Sequence, residues 1–177
     1  MAGRSMALLA HGVNAILLAL MWAFALWAYD KLPDPIPIHF DAAGNPNGWA
    51  EKSYLSWLML PSSALGMTVI TYASVLFVAL TRKNPRFINF PGRYKTKYLA
   101  LSPERREPVL FVVKAFVYWI AVPMNVLLSW VEWGMYHAAF DGKMSGSVWT
   151  PMIAFSVVFV VVMACGIVWM LRAVDRA

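Results

Sequence analysis

A single cysteine, Cys165, in 177 residues excludes an intrachain disulfide and any metal site built from several thiolates. Charge is scarce as well. Only 14% of residues are charged and 60% are hydrophobic, with a mean hydropathy of +0.59, which excludes a water-facing surface of ordinary composition. The chain contains no glycine-rich phosphate loop, no cysteine pair and no nucleophile elbow, so nothing in it points to nucleotide chemistry or acyl transfer. Acidic residues number nine against fifteen lysines and arginines, giving a net charge of +6. These cations lie beside apolar runs and not on a separate basic face, so the sequence implies no nucleic-acid partner and favours anionic lipid headgroups.

What is present is four long apolar runs, at about 6–29, 54–80, 109–139 and 150–171. Each is long enough to cross a hydrocarbon layer of about 30 Å as a helix rising about 1.5 Å per residue. The first exceeds the apolar core of a signal peptide and reads as a retained helix. The expected fold is an all-α integral membrane protein, a four-transmembrane-helix bundle forming one domain over 1–177 with an extended extracytoplasmic first loop. The run Val157 to Val162 would favour a strand in water, but a lone strand in lipid leaves its backbone unpaired.

Eight of the fifteen cations fall between the second and third runs: Arg82, Lys83, Arg86, Arg93, Lys95, Lys97, Arg105 and Arg106. Short loops rich in lysine and arginine resist translocation, so the segment 81–108 is expected on the cytoplasmic side with both termini, and loop 30–53 outside. Trp27, Trp49, Trp57, Trp130, Trp133 and Trp149 then gather at the outer boundary, with Trp169 near the inner one.

Within the spans, polar residues are few and patterned. His11 and Asn14 share a face of the first, where interhelical hydrogen bonding and proton relay are the alternative readings. Ser62, Gly66 and Ala73 form a small-residue track suited to close helix packing in the second, and Pro61 is expected to kink it. Asn125, Ser129, Glu132 and Tyr136 recur on one stripe of the third, which should face protein. A carboxylate inside a span needs neutralising or pairing, and Lys52, Lys143 and His137 are the candidate partners of Glu132. Ser102-Pro103-Glu104 resembles a helix start, although Pro108 should interrupt it, and Thr150-Pro151 reads as the cap of the fourth span.

Loop 30–53 carries the densest chemistry. Pro33, Pro35 and Pro37 impose an extended backbone, which places Ile36, Ile38 and Phe40 on one side and His39 and Asp41 on the other. Gly44, Asn45, Pro46, Asn47 and Gly48 supply a chain reversal. Trp49 and Lys52 follow, so the candidate ligand-binding residues are His39, Asp41, Asn45, Asn47, Trp49 and Lys52, with Glu132 and Tyr136 from the third span. Two readings compete: His39 and Asp41 hydrogen-bond the turn, or they converge with His137 and Asp141 around a divalent metal. No cofactor is otherwise expected. An EF-hand is excluded, because counting from Asp41 the third and twelfth positions are Ala43 and Lys52.

The stretch Leu32 to Lys52, LPDPIPIHFDAAGNPNGWAEK, with Asn84 to Pro91 in support, resembles the bacterial membrane family known as domain of unknown function 1648. That resemblance implies a place in the bacterial inner membrane and a kinship with the N-terminal part of proteins that confer immunity to the SDP toxin and hold a repressor at the membrane. It implies no catalytic residue, and activity residing in the C-terminal half of those longer proteins does not carry over. The expected function is therefore a non-enzymatic binding or regulatory membrane protein, whose partner is a peptide toxin, a lipid or a membrane protein. An accessory subunit of a larger complex and a metal-dependent membrane enzyme are the alternatives.

Overall fold

The computed structural model describes residues 2–144 and 149–177, with the side chains of Ala2 and Trp149 left aside. Helix α1 spans Ala2–Tyr29 and leads into an antiparallel hairpin, β1 (Ile36–Phe40) and β2 (Pro46–Ala50). A short helix, α2 (Tyr54–Trp57), precedes α3 (Met59–Leu80). A 3-10 turn at Pro85–Phe87 and helix α4 (Arg93–Ala100) follow, then α5 (Pro103–Asp141) and α6 (Trp149–Arg176). Among the described residues, four helices are long and apolar enough to cross a membrane: α1, α3, α5 and α6.

Helix α5 is the central element. Helices α1 and α3 pack on it and on each other, while α6 lies along α5 and also touches α4. One apolar core sits at the hairpin end, where Ala25, Ala28, Leu32, Ile36, Trp57 and Met135 meet. A second sits at the basic end, built from Ile88, Phe90, Tyr98, Val109, Leu110 and Val174. The basic segment is therefore folded and not a plain connector. Arg106 donates to the carbonyls of Tyr98 and Leu99 at 3.2 and 2.6 Å, closing the C-terminus of α4, and Arg82 pairs with Glu107 at 2.7 Å.

Several proline and glycine positions depart from expectation. Helix α5 starts at Pro103 with Ser102 at the cap position, as the Ser102-Pro103-Glu104 pattern suggests, so it extends six residues ahead of the apolar run from 109. It runs through both Pro108, which was expected to interrupt it, and Pro123. Pro108 is the sixth residue of α5, so its missing N–H removes one intrahelical bond, to the Glu104 carbonyl, within the second turn and the helix continues past it, while Ser102 caps without a side-chain cap bond. Pro61 falls in the first turn of α3, and the break comes earlier, at Leu58. A proline ring clashes with the carbonyl four residues back, here that of Trp57, and ending α2 at Trp57 removes that clash.

The small-residue track is not the packing face of α3. Ser62 and Ala73 are exposed and an added methyl on Gly66 would meet nothing, whereas Pro61, Ala64, Thr68 and Val75 are buried. The face is chosen by Thr68, which hydrogen-bonds Asn125 on α5. Close helix contact instead occurs at Gly166 of α6, where the Phe116 ring occupies the space a side chain would fill. Helix α6 already includes Trp149, one residue before the anticipated Thr150 cap, and the Trp149 side chain lies outside the described residues.

Candidate binding site

The hairpin is held from below. Ile36 and Pro37 are buried, and Lys52 braces its base by donating from Nζ to the Leu32 carbonyl at 2.8 Å and from its backbone N–H to Asp34 at 2.9 Å. Helix α2 is fastened by a Ser53–Ser56 capping box, and the Trp57 indole donates to the Ala25 carbonyl of α1 at 2.8 Å. At the tip, the Gly44 carbonyl accepts from the N–H of Met144, beyond the end of α5, at 2.9 Å.

The turn is organised by Asp41. Its carboxylate accepts from the backbone N–H groups of Ala43 and Asn45 at 2.8 and 2.9 Å and from the Asn45 side chain at 3.0 Å. These donors, the Asn45 backbone foremost, hold the Asp41 carboxyl below its ordinary pKa. Gly44 completes the reversal with φ +82°, a conformation that glycine adopts without strain.

Strand register alters the expected alternation. Pro37 pairs with Trp49 and His39 with Gly48, which leaves Ile38 as an extra residue, and a second shift lies between His39 and Phe40. Ile38 is consequently 37% exposed instead of joining Ile36 in the core. His39 Nδ1 contacts the Asn47 side-chain oxygen at 2.5 Å. A methyl added to Gly48 would stand 2.8 Å from His39 Cβ, so glycine there lets the strands close opposite the histidine. The outward surface thus comprises Ile38, His39, Asn47 and a Trp49 that is 49% exposed.

Beneath the hairpin, Tyr136 packs among Phe24, Trp27, His137 and Phe140, with ring centroids 5.1 to 5.9 Å apart. Glu132 is 1% exposed and neither carboxylate oxygen has a hydrogen-bond partner. The pairing expected with Lys52, Lys143 or His137 is therefore not formed: Lys52 is engaged at the hairpin base and His137 lies against Trp133 at 4.4 Å. Nor do His39, Asp41, His137 and Asp141 assemble a metal centre. Among the described residues no three histidine, cysteine, aspartate or glutamate side chains come together in a metal-holding group. Asp41 faces its own turn, His39 faces Asn47, and an exposed Asp141 ends α5.

Deeper still lies a polar cluster that joins three helices. Asn125 donates to Asn14 Oδ1 at 2.9 Å and to Thr68 at 3.1 Å, while Asn14 Nδ2 reaches the Tyr118 and Ala10 carbonyls at 3.0 Å and the Tyr72 hydroxyl at 3.2 Å. His11 adds ring contacts to Tyr72 and Tyr118. The interhelical hydrogen-bonding expectation for Asn14 holds. The share of Tyr72, Tyr118 and Thr68 was missed, because an aromatic or a threonine in a span gives no pattern of its own.

The geometry defines a multi-helix protein of membrane-spanning composition that carries a pre-formed β-hairpin at one end and a folded basic segment at the other. Residues 16–61, which run from α1 through the hairpin into α3, match the family model described as "Domain of unknown function (DUF1648)". The chain is also similar to an uncharacterized protein of Archaeoglobus fulgidus, with 28% identity over 159 residues, covering 86% of this chain and 79% of that one. No solved structure matches.

Proposed function

We propose that the protein is a non-enzymatic multi-pass membrane protein that recognises a partner through its hairpin, with the hairpin outside and the basic segment inside the cell. The single observation behind this reading is the contrast within the cap: its framework is fixed at Lys52, Trp57 and Gly44, yet Ile38, His39, Asn47 and Trp49 remain outward. A rigid surface loses little entropy on binding, and exposed aromatic and branched apolar groups are suited to anchoring a peptide or an envelope component. The family resemblance adds immunity or signalling as the context, with a secreted peptide toxin as the partner class.

The test is protection of a sensitive bacterial host against a secreted toxin of the SDP type. Wild type is expected to protect, and Trp49→Ala and Ile38→Ser are expected to abolish protection at unchanged membrane abundance. Full protection by both variants refutes the hairpin as the recognising surface. An externally added thiol reagent should label a cysteine placed at residue 47 in intact cells, and labelling only after lysis would reverse the orientation.

A further inference from the structure

At the basic end, a groove of about 1150 Å³ opens between the start of α1, the start of α5 and the end of α6. Three helices each contribute arginine to it: Arg4 from α1, Arg105 from α5, and Arg172 and Arg176 from α6. Arg105 donates to the Ala177 carbonyl at 3.2 Å. Arg4, Arg172 and Arg176 have no hydrogen-bond or ion-pair partner among the described residues. Of the two glutamates beside the groove, Glu107 is already bound to Arg82, so the site retains a positive excess.

The wall below the arginines is apolar. Cys165, Val168, Arg172 and Arg176 follow one another at three- and four-residue steps along α6, so a single stripe passes from apolar to cationic. Phe111 of α5 faces this stripe across the groove, and Phe111, Val168 and Cys165 are all exposed. Guanidinium groups above a greasy channel match one ligand chemistry, a phosphate ester carrying hydrocarbon chains. A soluble phosphate would leave the apolar wall bare, and a neutral lipid would leave three cations unanswered.

We propose that this groove binds one anionic phospholipid, its phosphate held by Arg4, Arg172 and Arg176 and an acyl chain laid along Phe111, Val168 and Cys165. The inference rests on the membrane reading of the helices but not on the role given to the hairpin. Cys165, the chain's lone thiol, provides the reporter.

The experiment measures alkylation of Cys165 by a small maleimide on full-length protein in neutral detergent, titrated with phosphatidylglycerol, phosphatidylcholine or inorganic phosphate. Phosphatidylglycerol is expected to slow alkylation saturably, with one lipid retained in native mass spectrometry, while the other two leave the rate unchanged. Replacing Arg4, Arg172 and Arg176 together by glutamine should weaken that protection by about fivefold per arginine removed. If the triple variant is not recovered from membranes, Arg172→Gln alone is read for the same single step. Equal protection by phosphatidylcholine, protection by phosphate alone, protection that tracks self-association of the chain, or unchanged protection in the variants overturns the proposal. Release of the wild-type protein by alkaline carbonate would instead sink the membrane reading, and so separates the two.

Discussion

Replacing Asn125 by leucine tests whether the polar cluster holds α1, α3 and α5 together. Asn125 is 1% exposed and donates two bonds, to Asn14 on α1 and to Thr68 on α3. Interhelical bonds of this kind average about 0.6 kcal/mol in membranes and reach about 1.7. Loss of two gives about 1 to 3 kcal/mol, and stranding the Asn14 oxygen adds about 1 to 3 more if no neighbour moves to satisfy it. The expected destabilisation is therefore about 2 to 6 kcal/mol, the lower part of that range holding if a neighbour moves to satisfy the oxygen, and comparable to a whole Leu→Ala core deletion. Asn14→Leu removes the same oxygen from the other side, so in the double variant neither partner is left waiting. Its cost should fall short of the sum of the two single changes by about 1 to 3 kcal/mol. Reversible unfolding in mixed micelles measures all four proteins. Additivity within about 0.5 kcal/mol would mean that Asn14 and Asn125 contribute independently, and the argument for a shared cluster fails.

Three further outcomes follow from individual contacts. Because the donors around Asp41 lower its folded pKa, the turn's stabilisation is complete above the ordinary carboxylate range and is lost as pH falls through the lowered value. Protection of the Ala43 and Asn45 amides, taken as their exchange rate relative to an unstructured peptide at the same pH, should therefore fall only under acid, and an Asp41→Asn variant with the same acid response would count against this. Gly166→Val drives a branched side chain into the Phe116 ring and should cost about 1 to 3 kcal/mol and loosen α6 from α5, measured by unfolding and by cross-linking between the two helices. Glu132→Leu replaces a buried carboxyl without a partner by an apolar group of similar size, and should be neutral or stabilising by up to about 4 kcal/mol. A clear loss of stability in that variant would reveal a partner for the carboxyl.

The four long helices were legible because lipid leaves a helix as the only lone spanning element, so hydropathy decides where propensity wavers, as in Val157 to Val162. The stripe through Asn125 and Glu132 was legible for the same reason, and both residues are buried. Chain reversal at Gly44 was also visible, from residue type alone. Strand register was not: the extra residue at Ile38 depends on how Gly48 meets His39, a contact between segments. The packed face of α3 was misjudged because small residues mark where close approach is permitted, whereas Thr68 finding Asn125 marks where it occurs. Convergence of His39 and Asp41 with His137 and Asp141 required two separate segments to aim at one point, which spacing within each does not determine.

The bond between the Gly44 carbonyl and the Met144 amide has a mechanical consequence. It ties the tip of the cap to the chain just past one end of α5, a rod of 39 residues and about 58 Å by helical rise. The opposite end of that rod carries Arg105 and Arg106, the second clasping the last turn of α4. A push on the cap is thus delivered to one end of a continuous helix whose other end bears on the opposite end of the molecule, with Gly142, Pro123 and Pro108 as the places where that helix and its exit can bend.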